Sequence, residues 1–459
     1  MALPSPHPDP HPTTARGFAL SVAQRLREAG HQALFCGGAV RDRLLGRTPG
    51  DYDIATSAPP EVVAPLFPHA LLVGAQFGTV VVPGEGRQVE VTTFRADGLY
   101  IDGRRPVGVV FSDARTDAQR RDFTVNGLFE DPVTGEVVDY VEGRRDLRAR
   151  LLRAIGDPSA RFLEDHLRML RAVRLCAQLN FAIEPRTFDA LRDLAPRVAS
   201  VSVERIRAEL VRLLRHGRGK ALRLLRDANL LAYVLPEVEA MQGVTQPPRY
   251  HPEGDVFVHT ALVLDNLGAL DDLPPEHAED LLWAALLHDV SKPATRSVGP
   301  DGRIRFHGHE SQGRDASAAL LERLKSARRC VDRVGDLVGT HMQFPALPQM
   351  RPARLRRFLA QPDIELHLRL HRADCSASHG DTSLLAFCRE RLEELGEERA
   401  LPAPLLTGSD LLAAGYTAGP ALGELLRWVR DLQLEGELHD REQALQRVLL
   451  HSPPAARGA

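Results

Sequence analysis

Alternating apolar and polar residues, the mark of half-buried strands, are confined to roughly the first third of this 459-residue chain. The stretches "DYDIAT" (51–56), "TVVVP" (79–83) and "QVEVTTF" (88–94) carry the pattern, beside the short apolar run "ALFC" (33–36). From about residue 148 the strands stop. Helical spacing then continues almost to the end, interrupted at "QGVTQPPRYHPEGD" (242–255) and "ALPAP" (400–404). Such a division predicts an α+β protein: an N-terminal α/β head with a mixed sheet and helices, followed by all-helical parts. The length exceeds what one core supports. The expected divisions are a disordered tail (1–15), the head (16–147), a helical neck and body (148–245), a helical domain (246–400) and a C-terminal helical segment (401–459).

Composition excludes little. No apolar run approaches a membrane span, so no membrane partner is expected. The start, "MALPSPHPDPHPTT", lacks the basic and apolar regions of a secretion signal. Cys36, Cys176, Cys330, Cys375 and Cys388 are scattered without zinc spacing, which fits a reducing cytoplasm. The net charge of −3 argues against a wholly basic nucleic-acid binder but leaves room for a local stripe. Arginine supplies nearly all positive charge, since Lys220, Lys292 and Lys325 are the only lysines. Its planar fork suits phosphate.

The densest chemistry lies in "GGAVRDRLLGRTPGDYD" (37–53), which follows a helix closed by Gly30. Asp51 and Asp53 stand two apart in a strand, so both leave one face while Tyr52 and Ile54 point to the core. Two such carboxylates raise each other's pKa unless a cation offsets their charge. Magnesium prefers oxygen and commonly uses a carboxylate pair plus substrate phosphates. Glu90 shares a polar strand face with Gln88 and Thr92 and is the candidate third carboxylate. Three carboxylates can hold two ions about 3.5–4 Å apart, clamping the attacking and leaving oxygens of phosphoryl transfer. Gly37 and Gly38 leave room for backbone N–H groups to meet a triphosphate, with Arg41 one turn on. Alone, a D-x-D is more often a solvated strand edge; with this glycine turn, the metal reading is preferred.

These residues carry a resemblance. "GGAVRDRLLG…GDYDIAT" resembles the signature of the tRNA nucleotidyltransferase and bacterial poly(A) polymerase family, class II of the nucleotidyltransferase superfamily. "RRDFTVNGL" (120–128) resembles its second motif, and "DPSARFLEDHLRMLRAVR" (157–174) its neck signature. The likeness runs in order over about 30–215. It implies Mg2+ at Asp51 and Asp53, with Glu90 as the third catalytic carboxylate. It also implies Arg120, Arg121, Asp122 and Asn126 near the ribose and phosphates, and Asp165, Arg168 and Arg171 among the nucleotide contacts. The family usually has "INAL" where this chain has "VNGL", which leaves Asn126 in place.

"EDHLR" sets Glu164, Asp165 and Arg168 on a long helix whose apolar stripe includes Leu163, Leu167 and Leu170. Asp165 and Arg168, three apart, share a face. On an unknown helix that is a surface ion pair. Cytosine and adenine, however, each present an amino donor beside a bare ring nitrogen, matching an acceptor–donor pair, whereas guanine and uracil mispair with it. The resemblance assigns this helix the choice of C and A without a template. It also implies that the loop "TFRADGLYIDGRRPVGVVF" (93–111), read as mobile, accompanies the switch from C to A. The chain is thus expected to take CTP and ATP and to build or repair the 3′-terminal CCA of tRNA. An A-adding enzyme and a poly(A) polymerase are the near alternatives.

Eight basic residues against two Glu in 201–226 form either a solvated face or a stripe for the tRNA backbone; next to such a head the stripe is preferred. "MRPARLRRF" (350–358) is a weaker basic candidate, and Gly419–Pro420 reads as a helical hairpin. A second constellation comprises His259 in "FVHTALVLDNL", His288 and Asp289 ending "DLLWAALLHDVSKP", and Asp374 in "LHRADCSASHGD". This order resembles the HD phosphohydrolase superfamily, whose quartet binds a divalent metal; the metal's identity stays open. His309 and His341 are extra or outer ligands. Such a domain would activate water against a phosphoester, and a phosphohydrolase served by an RNA-delivering head is the rival from another class.

Overall fold

The computed structural model describes residues 14–73, 77–98, 108–396 and 401–453. Nearly all of the expected tail, and the centre of the loop at 93–111, lie outside the described residues. Ala15, assigned to that tail, already begins a helix: Ala15–Glu28 is capped by Thr14, whose hydroxyl accepts from Gly17 N at 3.0 Å. The chain divides into two compact units, one of residues up to 239 with 323–325, the other of 240–322 and 326 onward.

The first unit is organised by strands β1 (Ala33–Cys36), β2 (Asp53–Thr56), β3 (Thr79–Gly84), β4 (Arg87–Thr93), β5 (Arg95–Asp97), β6 (Val109–Phe111), β7 (Leu128–Glu130) and β8 (Val137–Asp139). Six form one sheet in the order β3-β4-β2-β1-β7-β8, and β5 pairs with β6 apart from it. Within the sheet β2 and β4 run parallel and the other pairs antiparallel, so the mixed sheet is as expected. Two details differ. β2 begins at Asp53, leaving Asp51 in the approach to the strand, although Tyr52 and Ile54 are buried as expected. β3 does not alternate, because Val80, Val81 and Val82 are all buried; Leu71 bridges to Val81 along its outer edge.

Beyond residue 148 strands do not vanish entirely. Leu151–Leu152 pairs with Ala182–Ile183, and Ser297–Val298 with Ile304–Arg305. The expected long helix across "EDHLR" is two helices, Pro158–Glu164 and Leu167–Leu179, separated by Asp165 in extended conformation (φ −143°, ψ 106°). The Asp165 carboxylate accepts Leu167 N at 3.1 Å, a local bond that competes with helix continuation. Leu163, assigned to the apolar stripe, is 45% exposed, while Leu167 and Leu170 are buried. Helix Val203–Asp227 packs against Leu167–Leu179 and is interrupted at Arg218 (φ 49°) between two glycines. Gly217 makes the close approach: a Cβ there would sit 2.5 Å from Ala177 Cβ.

The second unit is helical, with the fully buried Trp283 on Pro275–Leu287. Its C-terminal part has its own cluster of Leu411, Val429, Leu432, Ala444 and Val448, on helices Gly408–Ala413, Pro420–Leu434 and Arg441–His451. All five cysteines are buried and none forms a disulfide among the described residues. Among the described residues no helix is long and apolar enough to cross a membrane.

Candidate functional sites

In the head, the parallel pairing of β2 with β4 sets Asp53 opposite Glu90, and residues in register on neighbouring strands project from the same face. Asp51, two residues earlier, is exposed with them. Asp53 reaches solvent, yet surrounding protein desolvates it, and this effect, then Glu90, then Asp51, raises its pKa to about 6. Arg121 opposes the rise. A rim of hard oxygen donors under mutual repulsion fits a divalent cation.

Beside this rim β1 ends and the chain turns at Gly37 (φ 70°), which precedes helix Gly38–Leu44. A Cβ at Gly37 would lie 3.3 Å from an Arg121 nitrogen and 3.9 Å from Asp53 Oδ2, so the glycine keeps this corner open. Gly38 follows at the helix start. Arg120 and Arg121 both pair with the buried Asp117, at 2.6 and 3.0 Å, and the Arg121 guanidinium lies over the Phe129 ring. Sequence reasoning missed Asp117; its i,i+3 and i,i+4 spacing to the two arginines was the available signal.

Arg41, expected at the phosphates, is only 6% exposed. It donates to Asn126 Oδ1 at 2.7 Å and to both oxygens of Asp42. Asn126 donates to Asp122 Oδ1 at 3.1 Å, and Asp122 Oδ2 accepts two bonds from Arg171, at 3.0 and 2.7 Å. One chain thus runs from the buried Arg41, Asn126 and Asp122 to the half-buried Arg171 and ties the glycine-turn helix to Leu167–Leu179. Burial alone would raise the Asp122 pKa, but the Arg171 charge and these hydrogen bonds outweigh it and hold the carboxyl well below its usual range.

Asp165 and Arg168 make no ion pair with each other, and the helix expected to carry both breaks at Asp165. Asp165 Oδ2 instead accepts from Arg205 at 2.8 Å. Arg168 pairs with Glu164 and donates to the carbonyls of Arg161 and Arg120. Arg161 donates to the Gln119 and Arg120 carbonyls, where its charge suits the C-terminus of helix Ala114–Gln119. Arg205 and Arg161 carried no distinguishing signal in the sequence.

In the second unit, His259 on Val256–Asp265, His288 and Asp289 just after Pro275–Leu287, and Asp374 on Ile364–Ala377 converge as expected. His259 Nε2 lies 3.2 Å from His288 Nε2, 3.1 Å from Asp374 Oδ1 and 3.7 Å from Asp289 Oδ2. His309 and His341 join them: their Nε2 atoms are 3.3 Å apart, and 3.4 and 3.9 Å from Asp289 Oδ1. Every Nδ1 is held from outside, on Glu253 for His259 and on the Ala285, Phe306 and Val338 carbonyls for the others. That pattern aims four Nε2 atoms inward.

Asp289 is shared by two ligand sets, with His259 and His288 on one side and His309 and His341 on the other. Both its oxygens are buried without a hydrogen bond, and the Lys292 ammonium, 2.7 Å from Oδ2, followed by His288 and His259, offsets the charge. Burial pulls the His259 pKa down, but bonds to Asp374 and Glu253 outweigh it and raise it to about 9. Burial and the neighbouring His288 push His341 down to about 4, leaving it neutral as a ligand must be. The donors and the orphaned carboxylate fit divalent metal.

Comparison with known proteins follows this division. Residues 33–153 match the poly A polymerase head domain, residues 180–242 the family described as "Probable RNA and SrmB- binding site of polymerase A", and residues 256–375 the HD domain. The chain is 44% identical over 440 residues to the CCA-adding enzyme of Bacillus licheniformis, covering 94% of this chain and 97% of that one. With the CCA-adding enzyme of Geobacillus stearothermophilus it is 47% identical over 218 residues, and that match spans only 47% of this chain and 54% of the relative. The crystal structure of the Bacillus stearothermophilus CCA-adding enzyme in complex with CTP superimposes with a TM-score of 0.72 at 30% identity, covering 94% of this chain and 97% of that one.

Proposed function

We infer the reaction from one premise: the chain belongs to the CCA-adding enzyme family. It is a nucleotidyltransferase that adds or repairs the 3′-terminal CCA of tRNA from CTP and ATP, without a nucleic-acid template. The observation that carries this reading is the register of Asp53 with Glu90 beside the Gly37 turn, with Asp51 on the same exposed rim.

The tRNA 3′-hydroxyl attacks the α-phosphorus of the nucleotide, a new P–O bond forms, and pyrophosphate leaves with the old one. Asp51 and Asp53 would hold divalent ions, magnesium by their hard-oxygen chemistry; when bound, these acidify the attacking hydroxyl and offset charge on the leaving pyrophosphate. Glu90 holds the third negative charge of the rim and keeps the acceptor end oriented. The Gly37 turn admits the triphosphate, with Gly38, Arg120 and Arg121 beside it. The Asp122–Asn126–Arg41 chain fixes the wall on which the ribose rests. Asp165 accepts the amino group common to C and A, and Arg168 and Arg171 donate to the same edge of the site. Arginines of Val203–Asp227 carry the tRNA backbone, a role that the RNA-binding match over 180–242 supports.

A tRNA ending before CCA, supplied with CTP alone, ATP alone or both, tests this. Extension by CC, none, and CCA is expected. No extension of that end while a second tRNA ending in CC gains a single A, or the addition of long A tracts, would refute it in favour of the near alternatives.

A second activity is favoured by one observation, the convergence of His259, His288, Asp289, His309, His341 and Asp374. These residues would hold divalent metal that supplies hydroxide for hydrolysis of a phosphoester such as a 2′,3′-cyclic phosphate. Asp289→Ala should lower metal content and leave nucleotide addition intact. Unchanged metal content would defeat this reading.

A further inference from the structure

We propose that Glu253 is a positioning residue of the second-unit metal centre, acting through His259. The inference rests on reading the histidine–aspartate cluster as a metal site. Three of the four inward-facing histidines hydrogen-bond their Nδ1 to a backbone carbonyl, with Glu310 Oε2 a further 3.5 Å neighbour of His309 Nδ1, and His259 alone hydrogen-bonds it to a carboxylate, Glu253 Oε1 at 2.6 Å.

The same Oε1 receives His251 Nδ1 at 2.9 Å, and the two imidazoles meet edge to face with centroids 4.8 Å apart. The Glu253 side chain is 7% exposed, and its Oε2 is buried with no hydrogen bond. Removing a carboxylate from water and leaving half of it unpaired is costly, so a merely structural acceptor would be served better by an amide or a carbonyl.

An anionic acceptor does something a carbonyl cannot. It fixes His259 as the Nδ1–H tautomer, turns the Nε2 lone pair toward Asp374 and His288, and makes that nitrogen a stronger donor to a cation. Glu253 therefore sets how tightly the His259 side of the centre holds its ion. The segment is anchored at its other end too: Gln246 accepts from Lys292, the residue that offsets Asp289. Residues 242–255, which look like a plain polar connector in the sequence, thus brace the centre on two sides.

The test uses the full chain, stripped with a chelator and titrated with Co2+, whose visible absorption reports both occupancy and ligand geometry. Glu253→Ala should weaken Co2+ binding about 10–100-fold and alter the absorption bands, with CCA addition unchanged. Glu253→Gln keeps the shape and an acceptor but loses the charge, and should weaken binding at least about threefold with smaller spectral change. Binding in both variants within twofold of the parent, with the parent's bands, overturns the proposal. If the parent itself binds no Co2+, the metal reading of the cluster fails instead. Should Glu253→Ala not fold, Glu253→Gln alone decides.

Discussion

Asp122→Asn removes one charge from the middle of the chain that joins the glycine-turn helix to Leu167–Leu179. Asp122 is 8% exposed and accepts from Phe123 N, Asn126 Nδ2 and twice from Arg171. Asparagine can keep the first two bonds but turns a donor toward the two Arg171 donors. Charge-assisted bonds contribute about 1.5–3 kcal/mol each. Arg171 is 34% exposed, so water restores part of the loss, and the net cost is about 3 kcal/mol, the low end for breaking a buried pair. That corresponds to a roughly 100-fold larger population of the locally opened form.

Amide exchange read by mass spectrometry over residues 118–130 and 166–176 measures it directly. Because the folded-state pKa of Asp122 is depressed, its contribution is present above the unfolded value of about 3.9 and is lost as pH falls toward the folded one. The gap between parent and variant should stay flat from pH 8 to about 4 and shrink only below. Equal exchange in the two proteins, or a gap that closes near neutrality, would refute the idea that this pair joins the two elements.

Asp53 has the opposite sign. Its folded pKa of about 6 lies above the unfolded value of about 3.9, so the ionised form opposes folding above pH 6 and the penalty vanishes below about 4. In EDTA, Asp53→Asn should melt higher than the parent at pH 8 and equally at pH 4, while abolishing CCA addition; a lower melting point at pH 8 counts against the like-charge rim. Gly217→Ala drives a Cβ to 2.5 Å from Ala177 Cβ and should cost about 1–3 kcal/mol in chemical denaturation, and no loss would mean the helices have slack there. Arg205→Ala frees the Asp165 carboxylate and should raise UTP incorporation relative to CTP more than it lowers CTP turnover. An unchanged ratio would leave Arg205 a purely structural partner.

What was legible in the sequence follows from how each feature is encoded. The acid rim was readable because two-residue periodicity fixes which side chains share a face, and a start of β2 two residues later than expected leaves Asp51 and Asp53 on the same exposed side. The histidine centre was readable because adjacent His-Asp residues constrain each other whatever the fold around them. The helix carrying Asp165 and Arg168 was misread as continuous for the same kind of reason: i,i+3 spacing implies a shared helix face only while the helix is unbroken, and the Asp165 side chain bonding to Leu167 N ends it. Periodicity cannot reveal such a bond, since aspartate is tolerated both within helices and at their breaks. Arg205 and Glu253 were invisible for a further reason. Each earns its position through a contact made across the tertiary fold or around a loop, with Asp165 forty residues away and with His259 six residues on. In this chain local rules locate the candidate donor atoms, and only the folded packing reveals the residues that hold them in place.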